Sequence, residues 1–207
     1  MNFKAIAIIV LALSSAATVA AEPPIADNTP YLRLVLPQAE QGNATAQYNV
    51  GVGYGEGLGG LPKNQSEALK WFRLAAAQGH APAQYNLGVM YAEGLGVPQD
   101  DAEAVRWYRL AADQTFASAQ SNLGSMYERG RGVQQDYGQG VKWYRLAADQ
   151  GEPFAQYNLG LLYGKGHGVP QDYVIAHMWM NLSAIIIFLG AAWNAEAASV
   201  REGRAAD

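Results

Sequence analysis

The chain has 207 residues, among them 36 alanines and 23 glycines, and carries 14 basic against 18 acidic side chains, a net charge of −4. Valine, isoleucine and threonine together number only 25, too few for a sheet-based domain because strands draw on β-branched residues; the lack of a three-residue glycine period excludes collagen, and a 50% hydrophobic content excludes general disorder. The charge balance offers no general attraction to nucleic acid or an anionic membrane, and without cysteine neither disulfides nor cysteine-ligated metals are available.

In chain order, residues 1–21 read as a secretory signal peptide: Lys4, an apolar run from Ala5 to Leu13, and small residues ending at Val19-Ala20-Ala21, with cleavage before Glu22. The apolar run is shorter than the roughly 20 residues of a membrane-spanning helix. Retention as an uncleaved anchor is the alternative. Residues 22–42 form an N-terminal segment and capping helix, with Ala39-Glu40-Gln41-Gly42 matching Ala76-Ala77-Gln78-Gly79 further on. From residue 43 the chain repeats itself. Ala-Gln-Tyr-Asn stands at 46–49, 83–86 and 155–158, with Ala119-Gln120-Ser121-Asn122 between them, at spacings of 37, 36 and 36. Trp71, Trp107, Trp143 and Trp179 keep the same period, as do Tyr54, Tyr91, Tyr127 and Tyr163. Four units follow: 43–79, 80–115, 116–151 and 152–187, with 188–207 as a C-terminal cap.

Each unit divides into two helices. Ala83, Leu87, Met90 and Tyr91 give helix A an apolar stripe that ends at Gly94 and Gly96. Asn64 with Glu67, Asp100 with Glu103 and Asp136 with Gln139 have the spacing of a capping box at the start of helix B, in which the second residue bonds back to the first. Gly79 and Gly151 close helix B. Thr115 takes that corner in unit two, so the corner there is either strained or of another geometry, because a β-branched residue resists positive φ. Gly88, Gly124, Gly160, Ala75, Ala111 and Ala147 allow close helix approach. Neither helix buries its stripe alone, so the predicted fold is all-α: a right-handed α-solenoid of four helix-turn-helix repeats with flanking capping helices, concave on one side and convex on the other.

Ala83-Gln-Tyr-Asn-Leu-Gly-x-x-Tyr91, Gly94-Leu-Gly-Val-Pro-Gln-Asp100 and Trp107-Tyr-Arg-Leu-Ala-Ala112 resemble the Sel-1-like repeat family, relatives of the tetratricopeptide repeat. The resemblance implies an adaptor that binds other proteins, in bacteria often an exported regulator or host-interacting factor. Its cysteine-rich members have been linked to penicillin binding and weak β-lactam hydrolysis, so a cell-wall or β-lactam-active hydrolase is the alternative. This chain lacks their cysteines. A membrane-attached assembly scaffold is a further alternative.

No catalytic constellation is recognisable. His80, His167 and His177 lack metal-ligand spacing, no serine sits in a nucleophile elbow, and the dinucleotide-like string Gly55-Glu-Gly-Leu-Gly-Gly60 follows no strand, so the reading is a non-enzyme without cofactor or metal. Lys70, Arg73, Arg106, Arg109, Lys142 and Arg145 recur on successive B helices. Glu67 and Glu103, one turn earlier, suggest a solvated, locally paired face, with an acidic partner as the alternative. The candidate protein- or peptide-binding residues are the recurring pairs of helix A: Tyr48, Asn49, Tyr85, Asn86, Ser121, Asn122, Tyr157 and Asn158. An asparagine there offers a paired donor and acceptor to a peptide backbone, and the alternative is that each amide bonds between repeats and each ring packs. Ser121, replacing an aromatic, is expected to open a pocket between Tyr85 and Tyr157. At the C-terminus, Ala184 to Leu189 is unusually apolar. A capping helix from Ala191 to Arg204, self-association through Ile185, Ile186 and Phe188, and membrane contact are its three readings. Export, to the periplasm or beyond it, is the expected location.

Overall fold

The computed structural model describes residues 29–185 and Phe188, so the expected signal peptide and the expected helix from Ala191 to Arg204 lie outside the described residues. Among the described residues the chain is an all-helical solenoid with no strand: α1 Thr29–Glu40, α2 Ala44–Glu56, α3 Gln65–Ala77, α4 Ala81–Glu93, α5 Asp101–Asp113, α6 Ala117–Arg129, α7 Tyr137–Ala148 and α8 Pro153–Lys165, followed by α9 over 173–185. Even-numbered helices are the A helices of the four units and odd-numbered ones are B helices. α1 stands as a lone B helix ahead of unit one, its Val35 and Ala39 buried against Ala46 and Val50 of α2. Consecutive helices pack on one another throughout, and α6 also touches α8. No described helix is long and apolar enough to cross a membrane.

The B helices begin where the sequence places their caps. Oδ1 of Asn64 accepts from Ser66 N and Glu67 N at 3.1 Å, Oδ1 of Asp100 from Glu103 N at 3.0 Å and Oδ1 of Asp136 from Gln139 N at 2.9 Å. The expected return bond of the capping box is absent. The cap amides of Asn64, Asp100 and Asp136 donate instead to the carbonyls of Tyr54, Tyr91 and Tyr127, which fastens each B helix to the preceding A helix. That leaves Glu67 and Glu103 free to pair with Lys70 and Arg106 at 2.5 and 2.6 Å.

The A helices depart from the expected single stripe. In α4 the buried set is Ala83, Gln84, Tyr85, Asn86, Leu87, Gly88, Met90 and Ala92, which runs around most of the helix. The reason is topological: an A helix is enclosed by the B helices before and after it, so a periodic polar face is lost. B helices, with one side open, keep theirs. The core clusters accordingly cross unit boundaries; one joins Tyr85 and Ala92 of α4, Tyr108 and Ala111 of α5, and Ala119 and Leu123 of α6.

Two contacts explain the glycine content. A Cβ on Gly88 would lie 2.5 Å from the ring of Tyr108, and one on Gly124 would lie 2.9 Å from the ring of Tyr144, so α4 and α6 each receive a B-helix aromatic face against bare backbone. In the AB loop, Gly132 has φ +67° and a Cβ there would meet the Asp101 carbonyl oxygen at 2.2 Å, so the loop of unit three seats on the start of α5 in unit two. Arg131 reinforces the same junction, donating to Asp101 Oδ1 at 2.6 Å and to the Ala92 carbonyl at 3.2 Å. The dinucleotide-like string belongs to the equivalent loop of unit one, where Gly57 closes α2 in a left-handed conformation.

At the BA corners Gly42, Gly79 and Gly151 take φ of +96°, +83° and +82°, and Thr115 takes the same corner at +64°, alone among the described non-glycine residues in having positive φ. The corner keeps its geometry and is strained. Beyond it runs a ladder of glutamines. Nε2 of Gln47, Gln84, Gln120 and Gln156 donates to the carbonyls of Ala39, Ala76, Ala112 and Ala148 at 3.1–3.2 Å. Gln78, Gln114 and Gln150 then donate to the side-chain oxygens of Gln47, Gln84 and Gln120 at 2.7–2.8 Å. At the corresponding spacing after Gln156 the sequence has Ile186, which has no side-chain donor, and Gln156 Oε1 is buried without a partner among the described residues.

Candidate protein-binding surface

Each A helix begins two residues after the positive-φ corner residue, with its N-cap between, and the N-terminal halves of successive A helices lie side by side. The Tyr-Asn pairs therefore meet across unit boundaries. The Asn86 amide is hydrogen-bonded to the Tyr48 phenol, and the Asn122 amide to the phenols of Tyr85 and Tyr108. Tyr85, Asn86 and Ser121 are buried; Tyr48, Asn49, Asn122 and Asn158 are half-buried. Tyr157, 48% exposed, is the one candidate ring open to solvent. Burial raises the Tyr48 phenol above its ordinary range and pushes Tyr85 up to about 12, so both act as neutral donors and packing rings.

A second column lies at the A-helix N-caps: Asn43, His80, Phe116 and Glu152. Asn43, His80 and Glu152 each accept a hydrogen bond from the amide three residues on, whereas Phe116 makes no side-chain cap. The cap residue also meets the tyrosine position of the previous unit. The His80 ring lies 4.9 Å from that of Tyr48, and Phe116 lies 5.3 Å from Tyr85. In the third such junction both partners change together. Ser121 replaces the tyrosine, Glu152 replaces the aromatic cap, and the serine hydroxyl donates to the carboxylate, which also accepts from Ala155 N at 2.5 Å. The expected pocket at Ser121 is not open: the serine is 5% and Glu152 6% exposed, so the position is filled. Burial raises the Glu152 carboxyl above its usual range, against the opposing effect of its hydrogen bonds. Sequence reasoning passed over Glu152; aligning the residue ahead of every A helix would have found it.

The outer side of the B helices carries the basic residues. Lys70 and Arg106 are neutralised as expected, by Glu67 and Glu103. Arg73, Arg109 and Arg145 behave differently: each donates from Nη2 to a tyrosine hydroxyl of the next A helix, Tyr91, Tyr127 and Tyr163 respectively. Beside them runs a row of exposed leucines, Leu74, Leu110 and Leu146. In α9 the pattern ends with Met178, Asn181 and Leu182, and Ile185 and Phe188 are 55% and 73% exposed; Ile186 lies outside the described residues. His167 stacks on Tyr137 with ring centroids 4.5 Å apart, and His177 is exposed on α9.

Stacked helix pairs, a BA corner every 36 or so residues and bonds running from unit to unit define a repeat solenoid of the protein-interaction class. The Sel1 repeat family model matches residues 44–80, 81–116, 117–152 and 153–185, and the chain belongs to that family. Proteins of this family are in general non-catalytic protein-interaction scaffolds. Among solved structures the chain is similar to a protective antigen of uropathogenic Escherichia coli strains displaying an SLR fold, at 46% identity and a TM-score of 0.71 over 74% of this chain and 32% of that one. It is also similar to a Sel1 repeat protein from Oxalobacter formigenes, at 38% identity and a TM-score of 0.72 over 75% and 62% of the two chains. A Sel1 repeat protein from Klebsiella pneumoniae shares the fold at 24% identity and a TM-score of 0.56. The chain thus spans about a third of the first relative and under two thirds of the second. No curated protein matches the chain.

Proposed function

We propose that this chain is an exported, non-enzymatic Sel1 repeat scaffold that holds a protein or peptide on the surface lined by its A helices, in the periplasm or beyond the cell. The observation that carries the reading is the set of aromatic and amide groups reaching the surface at matching repeat positions: Tyr48 and Asn49 in α2, Asn122 in α6, and Tyr157 and Asn158 in α8. Tyr85, Asn86 and Ser121 are buried beneath them and support the wall. Tyrosine contributes contact area at low entropic cost and asparagine supplies paired hydrogen bonds. The description of the E. coli relative as a protective antigen supports a host-facing role. The signal-like residues 1–21 support export.

A photoreactive residue placed at Tyr48 tests the surface in intact cells. It is expected to crosslink one defined partner, and Tyr157→Ala with Asn158→Ala is expected to cut that product at least tenfold with an unchanged melting temperature. Loss of melting temperature in step with the product would assign these residues to stability instead. Sequencing the mature amino terminus, expected at Glu22, tests export. Self-association through Ile185, Ile186 and Phe188 is the second contact we assign, on the exposure of Ile185 and Phe188; Ile185→Asp is expected to yield monomer in sedimentation if it operates.

A further inference from the structure

Arg73, Arg109 and Arg145 occupy one position in three successive B helices, and all three are exposed. Each spends one Nη2 donor on a tyrosine hydroxyl of the next unit. A guanidinium has five N–H donors, so most of each fork remains unspent. The Arg109 and Arg145 guanidinium carbons also lie 5.8 and 5.9 Å from the Tyr127 and Tyr163 ring centroids, which limits their rotamers. Among the described residues none of the three has a carboxylate within ion-pair distance, whereas Lys70, Arg106 and Arg131 are paired with Glu67, Glu103 and Asp101. Among the described residues three cations are thus ion-paired, whereas these three are held by tyrosine hydroxyls with no carboxylate in direct contact, the exposed Asp113 and Asp149 standing one turn beyond Arg109 and Arg145. The row stops in α9, where Asn181 takes the position.

We propose that Arg73, Arg109 and Arg145 form a docking row for an extended acidic peptide segment of a partner protein, on a face separate from the A-helix surface. Successive B helices each pack on the A helix between them, so they stand at least one helix diameter, about 10 Å, apart, and an extended chain advances about 3.3 Å per residue. Carboxylates three or more residues apart span that pitch, and each meets the guanidinium donors that the tyrosine leaves unspent. The exposed row of Leu74, Leu110 and Leu146 lies alongside for the intervening side chains. Nucleic acid fits less well: one cation per ~10 Å falls far short of one phosphate per ~1.7 Å of duplex, and the net charge of −4 opposes a dense polyanion.

The test titrates the full chain, with arginine side chains labelled for NMR, with a synthetic peptide of four Glu-Gly-Ser triplets and with its Gln-Gly-Ser counterpart. The Nε–H signals of Arg73, Arg109 and Arg145 are expected to shift saturably with the glutamate peptide, and those of Arg106 and Arg131 to stay in place. Combining Arg73→Gln, Arg109→Gln and Arg145→Gln is expected to weaken binding at least tenfold, while Lys70→Gln with Arg106→Gln leaves it within twofold. If the triple variant does not fold, Arg109→Gln alone, with a two- to fivefold loss, and the shifts in the unmodified protein decide. Equal affinity for both peptides, or equal shifts at the ion-paired arginines, would overturn the proposal. So would binding to phosphatidylglycerol vesicles that is lost in the triple variant while neither peptide shifts a signal. A Tyr157→Ala variant that loses its crosslinked partner yet binds the glutamate peptide normally separates this row from the A-helix surface.

Discussion

The junction between units two and three and the junction between units three and four solve the same packing problem with opposite chemistry. In the first, the Tyr85 ring meets Phe116, the Asn122 amide is hydrogen-bonded to Tyr85, and the corner ahead of Phe116 is the strained Thr115. In the second, Ser121 meets the buried carboxylate of Glu152, and the corner is Gly151 with φ +82°. Gln120 to the Ala112 carbonyl and Gln156 to the Ala148 carbonyl bridge the two junctions alike, both at 3.1 Å. The backbone frame, the glutamine ladder and the small A-helix residues are common to both junctions, whereas the pair formed by the tyrosine position and the following N-cap differs between them. It varies as a pair, since a lone carboxylate facing a tyrosine ring there, or a lone serine facing a phenylalanine, would leave either a charge or a void uncompensated.

The largest break in this comparison comes from removing the aromatic side. Tyr85→Ala deletes a ring that is 8% exposed and removes one of the two phenols bonded to the Asn122 amide; urea denaturation is expected to show a loss of about 3–5 kcal/mol, the usual range for a buried aromatic cut to alanine. Ser121→Ala at the matching site removes only a hydroxyl and is expected to cost about 1 kcal/mol. Near-equal losses would mean that the two junctions are not carried by these side chains. Exchange is the next test. Ser121→Tyr alone places a ring against a carboxylate and Glu152→Phe alone places a ring against a serine, while the double variant rebuilds the Tyr85–Phe116 arrangement. A double-mutant cycle is expected to give a favourable coupling of about 1 kcal/mol between the two sites. Additive effects would show that the covariation within the chain is coincidental.

How much of this was legible beforehand follows from where each partner lies. The period of 36, the cap residues and the corner glycines are local signals within a few residues of the element they shape, and each B helix starts at its expected cap. What could not be read is set by distant neighbours. Asn86 bonds a tyrosine 38 residues away, so a surface amide and a repeat-to-repeat bond look the same in the sequence. The capping-box return bond fails because Tyr91 O, in the preceding A helix, is the better-placed acceptor for Asp100 N at 2.9 Å. Helix A has no polar face because both flanks are covered, which an isolated pattern of Ala83, Leu87 and Met90 does not reveal. The arginine-to-tyrosine ladder, always 18 residues apart, was present in the sequence as two series of equal period and needed only the fold to join them.

The corner offers a smaller and opposite effect. Thr115 holds φ +64°, where an L-residue pays roughly 1–2 kcal/mol, and Gly79 and Gly151 at matching corners have open space where a Cβ would stand. Backbone torsion, and not crowding, is then the source of strain. Thr115→Gly is expected to stabilise the fold by about 1 kcal/mol once the larger unfolded-state entropy of glycine is subtracted, read as a rise in melting temperature. A fall would mean that the threonine side chain contributes a contact that outweighs its torsion.

The smallest effect concerns pH and separates the junctions by sign alone. Burial raises the Glu152 carboxyl above its unfolded value, with bonds from Ala155 N, Ser121 and Phe154 N acting the other way. The folded state therefore holds this proton more tightly than the unfolded state, so stability falls as pH rises from the unfolded carboxyl value through the folded one, and is flat beyond. His80, at the junction between units one and two, has its value lowered by burial. The unfolded imidazole takes the proton first, so stability falls as pH drops below about 6.5. The two junctions are thus expected to weaken in opposite directions of pH, and the aromatic junction at Phe116, without a titrating cap, in neither. Glu152→Gln is expected to flatten the loss on the rising side, and His80→Asn, which keeps a capping oxygen as Asn43 does, the loss on the falling side. A pH profile of melting temperature unchanged by Glu152→Gln would show that the carboxylate is well enough held by its three donors to ionise at no cost, and the second junction would then be as pH-independent as the aromatic one.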